Sequence, residues 1–186
     1  MVMIWRNDDI NPNSNFALTE DLYSIINERF PGVTLWSCVN IFARYNGAGS
    51  LYREVPFKYN PVEWFYDVDR IMPLEWVDKY RNISNIVSHG LFHIDHTKVS
   101  RDAQEMSILS SCRLLDTDIF VPPFNAFNED TADICNKNGI NLVTPQEGWK
   151  SIDCSDFEQE HELWYMHSWR WTPSELRKKL CQAQAV

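Results

Sequence analysis

Apolar and polar positions alternate along the chain in two different rhythms, and the changes of rhythm mark its elements. Val2 to Asn7 is a short apolar opening that predicts a buried strand. Ala17 to Phe30 places Leu18, Leu22, Ile25, Ile26 and Phe30 at helical spacing, and Pro31-Gly32 stops the helix. Val33 to Ile41 is rich in β-branched and aromatic residues and predicts a second strand. Arg44 to Pro61, with Gly47, Gly49 and Pro56, predicts a long excursion of the kind that often carries function. A helical turn or two after Pro73 leads to a third strand over Ile83 to Ser88. Ser100 to Leu115 then predicts a helix and Asp118 to Val121 a strand ended by Pro122-Pro123. Asp130 to Asn138 predicts a helix closed by Gly139, followed by strands over Ile140 to Val143 and Glu162 to Met166. Thr172-Pro173-Ser174-Glu175 fits a capping box with proline at the first helical position, which starts a last helix running to about Ala183.

Strands alternating with helices predict an α/β fold, a parallel sheet or barrel, in which ligands sit beyond the carboxyl ends of the strands. Asp8, Asp9, His89, Pro122 and His167 all fall at such ends. The 186 residues, 44% of them apolar, suffice for one domain with a substantial core. A net charge of −9 and the lack of a basic cluster beyond Arg177-Lys178-Lys179 exclude nucleic acid as the expected partner. No apolar run approaches membrane-spanning length, and Met1 to Asp8 carries no leader pattern, so the expected location is cytoplasmic and no membrane partner is expected. Five widely spaced cysteines without a C-x-x-C pair predict reduced, buried thiols.

His89-Gly90-Leu91-Phe92-His93 puts two imidazoles four residues apart after the Ile86-Val87 run, and Asp8-Asp9 follows the first strand. Imidazole nitrogens with a carboxylate oxygen make a catalytic zinc set of three protein ligands, and Asp9, His89 and His93 supply one. Taken singly, the aspartates also suit a solvated turn and the histidines a hydrogen-bonded buried pair. A helical zinc-protease reading requires glutamate after the first histidine, where Gly90 stands. Asp95 and His96 are further candidates for ligand or supporting roles, whereas His161 is expected at the surface.

In order and spacing, Asn7-Asp8-Asp9-Ile10 and His89-Gly90-Leu91-Phe92-His93 resemble motifs of the polysaccharide deacetylases, carbohydrate esterase family 4. Val121-Pro122-Pro123-Phe124-Asn125 resembles the family's Arg-Pro-Pro-Tyr-like turn, and Tyr165-Met166-His167 its late histidine motif. The resemblance spans nearly the whole chain. It implies a single-domain distorted β/α barrel with largely parallel strands over residues 1–186, and a metal-dependent hydrolase removing an N-acyl group, acetyl first, from an amino sugar or related conjugate. The roles it implies are Asp8 as general base, Asp9, His89 and His93 as ligands of one divalent ion, His167 as the acid that protonates the leaving amine, and the Phe124 N–H as oxyanion donor. Zinc is the first choice of ion, although the same donors also suit iron, cobalt, nickel or manganese.

Two positions depart from the motifs: Val121 stands where arginine is expected, and Tyr165 where leucine is expected. Arg6, two residues before Asp8, shares a strand face with it and is a candidate for the missing positive partner. These departures point to a divergent branch of the group. Among the eight tryptophans, Trp5 and Trp36 are expected in the core, and Trp169 and Trp171 on the wall of a substrate cleft. Two alternatives share the fold: a deformylase or esterase acting on a small substrate, and a carbohydrate-binding protein without catalysis.

Overall fold

The computed structural model describes residues 3–43, 70–145, 148–155, 157–158 and 161–182; the predicted excursion over 44–61 lies outside them. Seven parallel strands form a curled half-barrel with helices packed on its convex side. In chain order the elements are β1 (Ile4–Ile10), α1 (Phe16–Arg29), β2 (Thr34–Val39), β3 (Phe42–Ala43), β4 (Arg70–Ile71), α2 (Leu74–Arg81), β5 (Asn85–Ser88) and α3 (Arg101–Leu115). β6 (Ile119–Phe120), α4 (Glu129–Lys137), β7 (Asn141–Leu142), β8 (Lys150–Ser151), β9 (Leu163–Met166) and α5 (Pro173–Gln182) follow. The main sheet runs β7-β6-β5-β2-β1-β9-β8, while β3 and β4 make a separate antiparallel pair.

Central β1 is flanked by β2 and β9, with Trp5 opposite both Leu35 and Trp164. Period-2 alternation then sorts the side chains. Trp5, Leu35, Trp164 and Met166 point outward and pack with Leu22, Ile26, Leu176 and Leu180 of α1 and α5. Burying such side chains is worth roughly 1.5–3 kcal/mol each, which fixes which face of β1 turns to the helices. Arg6 therefore turns to the concave side, where Cys38, Val87, Val121 and Val143 form a second apolar layer with Trp36 and Trp149 against it. Trp36 is thus only partly buried, unlike Trp5, because it lines the open concavity.

Helix starts follow local chemistry. Asn15 caps α1, Ser100 caps α3 and Asn128 forms a capping box with Thr131. The expected box at α5 also forms: Thr172 N–H donates to Glu175 Oε2 at 2.9 Å, and Glu175 N–H donates to Thr172 Oγ1 at 3.3 Å. Gly32 and Gly139 take the left-handed conformations that end α1 and α4. All five cysteines are free. Cys38, Cys112 and Cys135 are buried, but Cys154 and Cys181 are exposed, so the expectation of buried thiols holds for three positions only. Among the described residues no helix is long and apolar enough to cross a membrane.

Candidate metal centre

Asp8 and Asp9 do not follow β1; they lie inside it, at a break in register. Asn7 faces Ser37 and Ile10 faces Val39, so two residues of β1 oppose the single Cys38 of β2, and Asp9 adopts φ 66°. This is a β-bulge. In a regular strand adjacent side chains point to opposite faces, which would send one aspartate into the helix layer. The extra residue resets that alternation. Aspartate tolerates the left-handed region better than most residues, and Asn11 steadies the distortion by donating from Nδ2 to Asp9 O at 2.8 Å.

β5 delivers the histidines. His89 N–H donates to Val39 O at 2.9 Å, and the His89 carbonyl accepts from the Asn40 side-chain amide. Gly90, at φ 89°, turns the chain back; its N–H donates to Ser88 Oγ of β5, and α3 secures the loop where Leu91 N–H donates to Ser107 Oγ, each at 3.2 Å. His89 Nε2 then lies 3.3 Å and His93 Nε2 2.9 Å from Asp9 Oδ1. Burial opposes charge on Asp9, yet the two imidazoles hold its carboxyl far below the usual carboxylate range. Burial also pushes His93 down, against the pull of Asp9.

The donor atoms of Asp9, His89 and His93 lie within 4.8 Å of one another, and this set fits a divalent ion. His89 Nδ1 sits 2.7 Å from the Val121 carbonyl, an acceptor that only an N–H can satisfy, which fixes the ring with Nε2 turned toward Asp9. Two imidazole Nε2 atoms and a carboxylate oxygen thus converge, the donor chemistry suited to a divalent ion. Neither Asp95 nor His96 joins the set. Asp95 caps the turn His96–Lys98, and His96 is fully buried with its ring edge-on to Phe120.

On one side of the triad, Arg6 pairs with Asp8: Nη2 donates to Oδ2 at 2.9 Å, and Nε lies 2.8 Å from Oδ1 as an ion-pair contact. The guanidinium is 0% exposed, with Trp149 at 4.7 Å and Tyr165 at 5.0 Å against it. Val121, where the motif has arginine, is packed into the concave apolar layer. On the other side, His167 Nε2 is 3.5 Å from Asp9 Oδ2, and its Nδ1 pairs with Asp153 Oδ2 at 2.5 Å. Burial works against the imidazolium, but Asp153, Asp9 and Asp8 outweigh it and raise the His167 pKa above its ordinary value. Asp153 Oδ1 also accepts from Trp171 Nε1 at 2.6 Å, so Trp171 braces this carboxylate while Trp169 stays 44% exposed beside the His167 ring. Phe124 is 51% exposed, with its ring 4.3 Å from His93. It stands at φ 59° in a turn whose own hydrogen bonds use the N–H groups of Asn125 and Ala126, not that of Phe124.

Arg6, Asp8, Asp9, His89, His93, Phe124, His167 and Trp169 therefore gather at one end of the sheet, whereas Asp95 and His96 stand apart from the triad. Asp153, Asn40, Trp149 and Asn125 are the neighbours that sequence reasoning missed. Asp153 follows β8, a two-residue strand with no apolar pattern to announce it, so its place at a strand end was not visible.

The same fold recurs in a group of solved structures. A family 4 carbohydrate esterase from Streptomyces lividans, in complex with acetate, superposes with a TM-score of 0.58 over 99% of this chain and 87% of its own, at 14% identity. The chain has the fold of the family 4 carbohydrate esterases. Among other chains with this esterase fold, a pseudoenzyme from Bacillus anthracis matches with a TM-score of 0.61 at 11% identity, over 98% of this chain and 60% of its own. A peptidoglycan deacetylase from Bacillus subtilis matches with a TM-score of 0.55 at 13% identity, over 97% and 84%. No family model and no curated protein matches the sequence. The esterase fold is thus carried here by a chain that spans about 60% of the length of the pseudoenzyme.

Proposed function

We propose that this chain is a metal-dependent hydrolase that removes an N-acyl group, acetyl first, from an amino sugar or related conjugate. The observation that carries the reading is the flanking of one donor triad by two differently held groups, a carboxylate clamped by arginine (Asp8) and an imidazole backed by a carboxylate (His167). Amide hydrolysis needs both a base for water and an acid for a poor amine leaving group.

A divalent ion, zinc first, held by Asp9, His89 and His93 would supply polarisation of the acyl carbonyl and an acidified water. Asp8 takes the proton of the attacking water, with Arg6 fixing the orientation of its oxygens. The Phe124 N–H donates to the oxyanion that develops. His167 carries its proton at Nε2, with Nδ1–H directed to Asp153, and gives it to the departing nitrogen. The exposed rings of Phe124 and Trp169 offer flat apolar flanks suited to a sugar ring on either side of the triad.

A pseudoenzyme stands among the similar structures, and Val121 removes the motif's arginine. The Arg6–Asp8 pair supports the catalytic reading over the binding-only one, because a cation still orients the base. The deciding experiment measures acetate release from a panel of N-acetylated sugars by metal-replete protein, with N-formyl and O-acetyl compounds alongside. We expect turnover on at least one N-acetyl compound, reduced roughly 10²-fold or more by Asp8→Asn. Turnover confined to formyl or ester substrates would shift the acyl class, and none on any compound would leave the binding-only reading.

A further inference from the structure

Phe124 and Asn125 occupy the left-handed region in succession, at φ 59° and φ 53°. Neither is glycine. Asparagine visits this region readily, but a bulky aromatic does not, so the pair persists only where its surroundings hold it. Two supports are local: Asn125 N–H donates to Pro122 O and Ala126 N–H to Pro123 O, both at 3.0 Å. A third is not. The Asn125 side chain accepts from Arg6 Nη2 at 3.0 Å through its Oδ1, across a sequence separation of 119 residues.

That nitrogen also holds Asp8 Oδ2 at 2.9 Å. One planar guanidinium therefore binds the carboxylate on β1 and the strained turn beyond β6. Trp149 and Tyr165 lie against it at 4.7 and 5.0 Å, and the residue itself is fully buried, so water does not compete for these bonds. Val121 cannot take part, being apolar and packed in the concave layer.

We propose that Asn125 is a positioning residue. Through Arg6 it locks the turn that presents the Phe124 N–H to the same rigid group that orients Asp8, so that base and oxyanion donor are set by a single side chain. The catalytic half of this inference rests on the deacylase reading above; the mechanical half, that Arg6 holds the turn, does not.

Asn125→Gly separates the two contributions, because glycine accepts the left-handed backbone at no steric cost while removing the acceptor. Asn125→Asp keeps both the acceptor and tolerance of that backbone. Amide hydrogen exchange at Asn125 and Ala126 reads the turn without any substrate. We expect it to be about tenfold faster or more in Asn125→Gly and in Arg6→Met, the scale of a lost hydrogen bond to a charged group, and near wild type in Asn125→Asp. Exchange in β9 serves as the control for global unfolding. If exchange in the turn stays at the wild-type rate in both Asn125→Gly and Arg6→Met, the proposal is overturned, whatever the enzyme does. With an active substrate in hand, Asn125→Gly should lower kcat roughly tenfold or more while KM and bound metal stay put. An unchanged kcat beside a loosened turn would overturn the catalytic half, and inactivity of wild type would count against the deacylase reading while the exchange result stands.

Discussion

The Asp153 carboxylate meets His167 at Nδ1, 2.5 Å away, and with its second oxygen takes the indole N–H of Trp171 at 2.6 Å. A carboxylate so held dictates which ring nitrogen of His167 faces the Asp9–His89–His93 triad. Asp153→Asn should keep the shape and lose the charge, and its amide can present an N–H where an acceptor is required. Turnover should fall by roughly 10- to 10²-fold with metal content unchanged, checked by steady-state kinetics beside elemental analysis.

The ligand set has a simpler test. His93→Ala removes one of the three proposed donors, a ring set against Asp9, His89 and Phe124. Bound metal per chain should drop about tenfold or more while circular dichroism stays as in wild type. Full occupancy in this variant would show that the ion lies elsewhere.

Gly90 carries a different burden. At φ 89° a Cβ would lie 3.1 Å from both Phe92 O and Ser107 Oγ, and 3.6 Å from His96 Cε1. Backbone strain and the carbonyl contact add, so Gly90→Ala should cost about 2 kcal/mol or more, visible as a melting temperature lower by roughly 4–8 °C. Metal affinity should fall with it, because Gly90 sets the path from His89 to His93.

Acid sensitivity should come in part from His96. Burial, with the neighbouring His89 adding to it, lowers its pKa to about 3 in the folded protein, against an ordinary value of 6.5. The unfolded chain therefore binds this proton at a higher pH than the native one. The neutral ring's contribution is complete above pH 6.5 and is lost as pH falls toward 3, reaching about 3 kcal/mol at pH 4. Urea titrations at pH 7 and pH 4 should show a smaller loss in His96→Leu than in wild type. Equal losses would remove His96 from the account.

Much of the scaffold was legible because α1 and, more roughly, α3 keep helical apolar spacing, while α5 announces itself by its capping box. The short strands were harder. β8 and the β3–β4 pair span two residues each, too few for a period to show. The motif residues were visible as residue types, and Arg6 as a partner for Asp8 by strand parity alone. What parity could not supply was the bulge at Asp8 and Asp9, since one unpaired residue leaves no trace in an apolar pattern. Asn125 and Asp153 were hidden for a related reason, because their roles depend on contacts with residues remote in the chain.

Placing the arginine on β1 rather than at position 121 also alters how the fold can be assembled. Arg6 and Asp8 are neighbours on one short segment, so their ion pair needs almost no loop to close. An arginine on β6 would meet the aspartate only after β2 and β5 had docked between them. Here the two charges can neutralise each other before the sheet forms, and β1 enters the hydrophobic centre as an already compensated strand. The remaining long-range tie, Asn125 to Arg6, adds no charge to the interior.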